Sequence, residues 1–162
     1  MVTNTKKLTK GFTIIEVLIV LAIAGLILAI VFLAVPALQR NSRNTGIRSD
    51  AAGVLAAVND FIANNQGTMP TGRTISGNTV TITGPGGSVS SEAKIRGGTS
   101  VTWNAGMPGG AATSGFTGII NIQTDNKCNA TGTAYVGSLR AVAAGFRVEN
   151  TSSTSAPQCI ES

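Results

Sequence analysis

The chain has 162 residues, of which 43% are hydrophobic, 12% charged and only 4% aromatic, with a formal net charge of +5. This composition is typical of one small globular domain attached to a strongly apolar segment. The charge does not make the globular part a basic, nucleic-acid-binding domain, because half of the twelve bases flank the apolar segment and six acids balance six bases beyond Ser49. The flanking bases are Lys6, Lys7, Lys10, Arg40, Arg43 and Arg48.

The N-terminal third begins with a polar, lysine-bearing leader, residues 1–11, which is typical of a processing segment. No charged side chain then occurs between Glu16 and Arg40. As a helix that rises about 1.5 Å per residue, this run reaches roughly 35 Å and can cross a hydrocarbon core of about 30 Å. It is longer than the h-region of a secretory signal, about 7–15 residues, so residues 12–39 are expected to remain on the protein as a membrane helix. Bases flank both sides, so charge alone does not orient it.

The pattern of apolar residues between positions 40 and 66 predicts an amphipathic continuation of this helix over residues 40–66. After the stretch RNSRNTG, apolar residues recur at helical spacing, and Asn64, Asn65 and Gly67 signal the end of the helix near Gln66. The stripe consists of Ile47, Ala51, Val54, Leu55, Val58, Phe61 and Ile62. A stripe of this kind needs a surface to cover, and the rest of the chain is expected to supply it.

Residues 67–162 are rich in Gly, Thr and Ser and contain short β-prone pieces separated by turn signals such as GPGG and MPGG. The pieces are NTVTIT, SVTWN, FTGIINIQ and AVAAGFRVE. The predicted fold class is therefore α+β, with a long N-terminal helix packed on a small antiparallel sheet of about four strands. Few aromatic residues and many glycines predict a thin core.

Two cysteines, Cys128 and Cys159, lie in this C-terminal part, and the chain has no histidine. Two ligands cannot complete a zinc site, which needs about four nitrogen or sulfur ligands. A disulfide is the more economical interpretation and would place this part in an oxidising compartment. The alternative is a pair of free, buried thiols.

The N-terminal motif carries a family resemblance. Lys10, Gly11 and Phe12 are followed by a polar residue, two isoleucines and Glu16, which heads the uninterrupted apolar run to Pro36. This arrangement resembles the type IV pilin family and covers roughly the first third of the chain. The resemblance implies a pilin-like fold and a prepilin with a class III signal sequence: either a major pilin, or a minor pilin or type II secretion pseudopilin.

The resemblance also implies a processing route and partners. A membrane-embedded prepilin peptidase would cut between Gly11 and Phe12 and methylate the new amine of Phe12. The leader would face the cytoplasm and the cysteine-bearing domain the outside. The chain would be a single-pass membrane protein before assembly, then part of an extracellular homopolymeric filament built by an assembly platform and its ATPase. Adhesion, motility and secretion are the associated roles.

Glu16 has a physical role in this scheme. A carboxylate inside a bilayer is costly, so it is expected to be paired or functional. Cleavage creates an α-amino group on Phe12 that is largely cationic at neutral pH. In a filament, the Phe12 ammonium of one subunit could pair with the Glu16 carboxylate of its neighbour and set the axial register. The alternative is that Glu16 merely lies at the membrane edge of a signal anchor.

Gly25 and Pro36 are the remaining positions in the helix for which we expect a role. Proline inside a helix removes a backbone hydrogen bond and clashes with the preceding turn. The resemblance implies that the helix unwinds between Gly25 and Pro36 during filament packing; a simple kink is the alternative.

The rest of the chain indicates no enzyme, no cofactor and no metal. Asp125 in IQTDNK lacks a second nearby carboxylate for a calcium site, and the sequons at Asn129 and Asn150 are better explained as solvated loops. A competence-type pilin that captures DNA is a further alternative, and its basic stripe would have to come from Lys94, Arg96, Arg140 and Arg147.

Overall fold

The structure is a computed structural model that describes residues 11–86, 88–105, 110–111, 118–150 and 155–162. The leader expected at 1–11 therefore lies outside the described residues except for Gly11. The chain divides into two compact units, Met1–Gln39 and Arg40–Ser162.

A single helix, α1, covers Ile14–Asn64. Within the second unit, the stretch RNSRNTG does not interrupt it. Its C-terminus is closed by a bond from the Gly67 amide to the Ile62 carbonyl (2.8 Å), with Gln66 and Gly67 at positive φ, as in a Schellman motif. The Asn65 side chain then bonds the Phe61 and Val89 carbonyls, each at 2.8 Å, and so ties this end of the helix to the chain beyond it.

The strands form two sheets. The first contains β1 (Gly72–Ser76), β2 (Thr79–Thr83) and β3 (Ser91–Lys94), all antiparallel. The second contains β4 (Ser100–Ala105), β5 (Gly110–Ala111), β6 (Ile119–Cys128), β7 (Ala134–Glu149) and β8 (Ser155–Glu161) in the order β4-β6-β7-β5, with β8 also on β7. The Arg73 guanidinium donates to the Val101 carbonyl and so connects the two sheets.

The strand arrangement is richer than the sequence predicted. The α+β class and the helix packed on β-sheet are confirmed, but the described residues hold eight strands in two sheets rather than about four in one. The β4–β6 pair is parallel, which the expectation of an antiparallel sheet did not include. Period-two alternation identifies strands but not their partners, so short polar strands such as β1 and β3 and the direction of β4 were not predicted.

One hydrophobic core lies between α1 and the two sheets. Six of the seven predicted stripe residues are buried, and Ile62 packs against the core partly buried. The sheets contribute Val80, Ile82, Val101, Ile120, Ile122, Val142, Ala144, Phe146 and Val148. Phe61 is fully buried, and a Cβ at Gly84 would overlap its ring, so this position needs glycine for close approach.

The β6–β7 hairpin bends back on the sheet. Between the pairs Thr124↔Val142 and Asn126↔Gly137, one residue of β6 faces four of β7, a large bulge. Tyr135 pairs with Cys128, seven residues beyond Asn121, yet its hydroxyl donates to the Asn121 carbonyl at 2.8 Å. At about 3.3 Å per residue a straight strand would not allow this contact, so the hairpin end folds over the outer face.

A disulfide holds the folded hairpin against β8. Cys128 and Cys159 are bonded, with Cα atoms 5.7 Å apart, and the Cys159 amide donates to the Gly132 carbonyl at 2.7 Å. The buried side chains of Tyr135 and Ala143 form a second small cluster with both cysteines. Burial raises the pKa of the Tyr135 hydroxyl above its usual range. A bridge over 31 residues of sequence is worth about 3–4 kcal/mol by the closure-entropy relation.

Candidate functional site: the exposed N-terminal segment

The segment from Gly11 to Gln39 is exposed along its whole length. Large apolar side chains dominate it, and Phe12 is 86% and Leu33 84% exposed. An 18-residue window of α1 has a mean hydropathy of 3.3 and no buried residue, so length and composition allow it to cross a membrane. So much apolar surface is unfavourable in water, and it requires lipid or other protein to cover it.

Thr13 and Glu16 form a capping box at the start of this helix. Thr13 precedes the first helical residue, Ile14, and its amide and hydroxyl donate to Glu16 Oε2 at 3.0 and 2.9 Å. The Glu16 amide donates back to the Thr13 hydroxyl at 3.3 Å. Each side chain thus satisfies a backbone donor that has no partner within the helix. The pattern Thr-x-x-Glu ahead of an apolar run could have revealed this arrangement from sequence.

The capping box determines where the Glu16 charge lies. Both Thr13 donors engage Oε2, and no donor among the described residues reaches Oε1. The carboxylate is therefore held at the first turn, four residues from Phe12, with one oxygen available to a cation. It also sits at the positive end of the helix dipole, which favours a negative charge.

Gly25 and Pro36 both lie inside α1. A Cβ at Gly25 would meet no atom within 4 Å, so no intrachain contact requires glycine there. Glycine costs about 1 kcal/mol relative to alanine inside a helix, and proline about 3 kcal/mol. These are the two weakest points of the exposed helix, and unwinding between them stays a prediction.

Where α1 enters the second unit, a polar clamp joins it to the end of β7. Arg43 Nε and Nη2 donate to the two carboxylate oxygens of Glu149 at 2.8 and 2.7 Å. Asn44 exchanges two further bonds with the Glu149 backbone, at 2.8 and 2.7 Å. The Arg43 hydrogen bonds, with the nearby charges of Arg43 and Arg40, hold the pKa of Glu149 below its usual range, and the same hydrogen bonds raise the pKa of Arg43. Sequence reasoning missed this clamp because its partners are 105 and 106 residues apart.

Asp50 is a second position that sequence reasoning missed. It is only 6% exposed, on the buried face of α1 beside Ala51. It accepts from the Thr99 hydroxyl at 2.8 Å and the Arg96 amide at 3.3 Å, and the Arg96 guanidinium lies 3.6 Å away. The apolar periodicity did not include it, because a paired carboxylate can occupy a core position that the pattern assigns only to apolar side chains.

The other sequence-derived candidates are distributed over the surface. Of the four bases considered for DNA capture, Arg96 and Arg147 line one cavity, whereas Arg140 contacts the Gly67 carbonyl and Lys94 lies on β3. The Asn129 side chain accepts from two backbone amides of its own turn. The rest of the Asn150 sequon lies outside the described residues.

No metal site is found in the part of the chain that the structure describes. No three His, Cys, Asp or Glu residues lie close enough there to share an ion. Asp125 accepts from the Arg140 amide at 3.0 Å and stabilises the bulge of the folded hairpin. Both residues have positive φ, 57° and 63°, which is uncommon for residues other than glycine.

A comparison with protein families gives one match. Residues 6–32 match the model described as the prokaryotic N-terminal methylation motif. The match includes Gly11, Phe12, the capping box and the first part of the exposed helix. Neither curated proteins nor solved structures gave a match.

Proposed function

Because the methylation motif indicates a type IV pilin-like prepilin with a class III signal sequence, we propose that this chain is a structural subunit of a type IV pilus filament. Prepilin peptidase cuts between Gly11 and Phe12 and the new amine is methylated. The subunit is anchored in the membrane by its apolar helix before it enters an extracellular filament. The observation that carries the proposal is the fully exposed apolar segment Gly11 to Gln39, which begins at the matched motif.

In the filament, we expect the apolar segments of neighbouring subunits to cover one another. Glu16 then pairs with the Phe12 ammonium of the next subunit, through the oxygen that Thr13 leaves available. Two unit charges about 4 Å apart interact by roughly 4 kcal/mol at an effective dielectric near 20, before desolvation is subtracted. A buried pair is less costly than a lone buried charge, so Glu16 favours assembly over remaining alone in lipid.

The first test is replacement of Glu16 by valine. We expect Glu16→Val to be inserted and cleaved but absent from filaments sheared off the cell surface, because the charge pair cannot form. The intact mass of the sheared wild-type chain should correspond to residues 12–162 plus one methyl group and less two hydrogens for the disulfide. Glu16→Asp, which keeps the charge on a shorter side chain, is the matched control and should assemble partially.

Normal amounts of Glu16→Val filament would refute the pairing model. A wild-type chain found only in the membrane fraction, still beginning at Met1, would refute the pilus assignment itself and leave a signal anchor. The amount of this chain relative to other filament proteins separates a major pilin from a minor pilin or pseudopilin.

A further inference from the structure

A cavity of about 300 Å³ opens where α1 enters the second unit. Its lining includes the three arginines Arg43, Arg96 and Arg147 and the two acids Asp50 and Glu149. The chain at Gly97 and Gly98 forms another part of the wall. A Cβ at Gly98 would meet no atom within 4 Å, so the backbone there is open to an incoming group.

Arg96 is held at this cavity by the helix itself. Gly46 is buried on α1, and a Cβ at this position would overlap the Arg96 guanidinium. The Arg96 guanidinium therefore packs directly against the backbone of α1 at Gly46, where the absence of a Cβ leaves room for it. Asp50 fixes the other side of the guanidinium, yet the Arg96 side chain remains 51% exposed. Arg96 is therefore positioned without being removed from solvent.

The surroundings of the cavity are basic. The positive charge of Arg40 helps to lower the pKa of Glu149, and the Arg48 guanidinium donates to the Gln158 side chain on β8 at 3.2 Å. The residues that line the cavity include three arginines and two acids, hence a net charge of +1, and Arg40 and Arg48, which do not line it, add two positive charges from the same part of α1. The excess positive charge comes from Arg40, Arg43 and Arg48, because the residues beyond Ser49 have equal numbers of acids and bases. Guanidinium donors suit phosphate oxygens, and the bonds of Arg43 to Glu149 use only its Nε and Nη2.

Chain connectivity limits how far this basic region can lie from the end of the exposed apolar segment. Arg43 follows Gln39, the last residue of the exposed apolar segment, by four residues. Even a fully extended chain spans at most about 3.6 Å per residue, so Arg43 lies within roughly 14 Å of that segment's end. The anionic headgroups of a membrane that contains the segment are therefore within reach of the cavity.

We propose that, in the membrane-anchored state, the cavity between Arg43, Arg96 and Arg147 binds the phosphate of an anionic phospholipid headgroup. This inference rests on the membrane stage of the proposed function. The bound lipid would hold the second unit at the membrane surface and would have to leave when the subunit enters a filament.

The test uses the full-length chain in nanodiscs of phosphatidylcholine alone or mixed with phosphatidylglycerol. Native mass spectrometry counts the lipids that stay bound after release. We expect phosphatidylglycerol to be retained in preference to phosphatidylcholine, and Arg147→Gln to lower this retention roughly fivefold, the effect of one juxtamembrane guanidinium. Arg140→Gln removes the same charge from the same unit, away from the cavity, and should leave retention unchanged.

Several results would overturn the inference. Equal retention of the two lipids by the wild type would do so, as would equal phosphatidylglycerol retention by the wild type and Arg147→Gln. Arg147→Lys keeps the positive charge and should therefore restore most of the lipid binding that Arg147→Gln loses. This variant distinguishes loss of the charge from misfolding. If the chain binds duplex DNA instead of phosphatidylglycerol, and Arg147→Gln abolishes this DNA binding, the cavity is a nucleic-acid site and the lipid proposal is overturned. Filaments sheared from cells are measured separately. Normal filament assembly by a chain that shows no lipid preference overturns this inference alone. Failure of the chain to insert into the membrane also overturns the membrane stage of the proposed function.

Discussion

Glu16 is a residue whose surroundings explain why a charge is tolerated in an apolar helix. The capping box with Thr13 supplies two donors to the carboxylate from its own chain, before any neighbour is present. Thr13 is therefore a positioning residue for Glu16, because it fixes the oxygen that stays available for pairing. Substitution of Thr13 tests this role without removing the charge.

Thr13→Val should destabilise the first turn of α1 by about 1 kcal/mol, since valine keeps the shape of threonine but cannot cap. Amide hydrogen exchange of the full-length chain in nanodiscs should then be faster at Ile14 to Val17, with later turns unchanged. Filament yield should fall less than in Glu16→Val. Thr13→Ser retains the hydroxyl and is the matched control. Unchanged exchange in Thr13→Val would show that the capping box does not stabilise the helix start.

At the scale of elements, the junction of α1 with β7 is held by polar contacts in addition to the core that includes Ile47 and Val148. Arg43 and Asn44 make four hydrogen bonds to Glu149, two to its side chain and two to its backbone. The side-chain pair depends on the charge of Glu149, whereas the backbone pair does not. The junction should therefore weaken in acid without separating completely.

The sign of this pH dependence follows from the lowered pKa of Glu149. A carboxylate whose pKa is lower in the folded state stabilises the fold above its unfolded pKa, near 4.3, and this contribution is lost as pH falls through the folded pKa. The thermal unfolding temperature of the wild type should therefore fall in acid, and that of Glu149→Gln should fall by a smaller amount. Glu92→Gln, a more exposed strand carboxylate, is the matched control. An identical acid profile for wild type and Glu149→Gln would contradict the assignment.

At the scale of the whole molecule, the two units have opposite relations to water. Residues 11–39 are exposed and uncharged apart from Glu16, whereas the hydrophobic core of the described residues lies within Arg40–Ser162. The helix residues that contribute to the core begin at Ile47, beyond Gln39, the last residue of the exposed apolar segment. The second unit should therefore fold without the first.

A fragment beginning at Arg40 is expected to be soluble, monomeric and cooperatively folded, because it loses the exposed apolar segment and no core residue. Circular dichroism during thermal unfolding and sedimentation would measure this. Phe61→Ala in the same fragment should lower the free energy of unfolding by about 3–5 kcal/mol, as expected for a buried phenylalanine. An aggregated or non-cooperative fragment would show that the second unit depends on residues before Arg40.

The sequence by itself determined the features that depend on neighbours along the chain. The helix and its apolar stripe follow from spacings of one to four residues, which a helix converts directly into one face. The motif at Gly11, Phe12 and Glu16 is recognised from the order of residues along the chain. The α+β class followed from the change of period beyond Gly67.

Only the tertiary structure decided the features that join distant residues. The parallel β4–β6 pair, the hairpin folded over Asn121, the Arg43–Glu149 clamp and the cavity at Arg96 each bring together positions that local periodicity treats independently. Such contacts form because buried or partly buried polar groups must find partners after the chain has collapsed. Many partners of the right chemistry exist along the chain, and only the packed backbone selects among them.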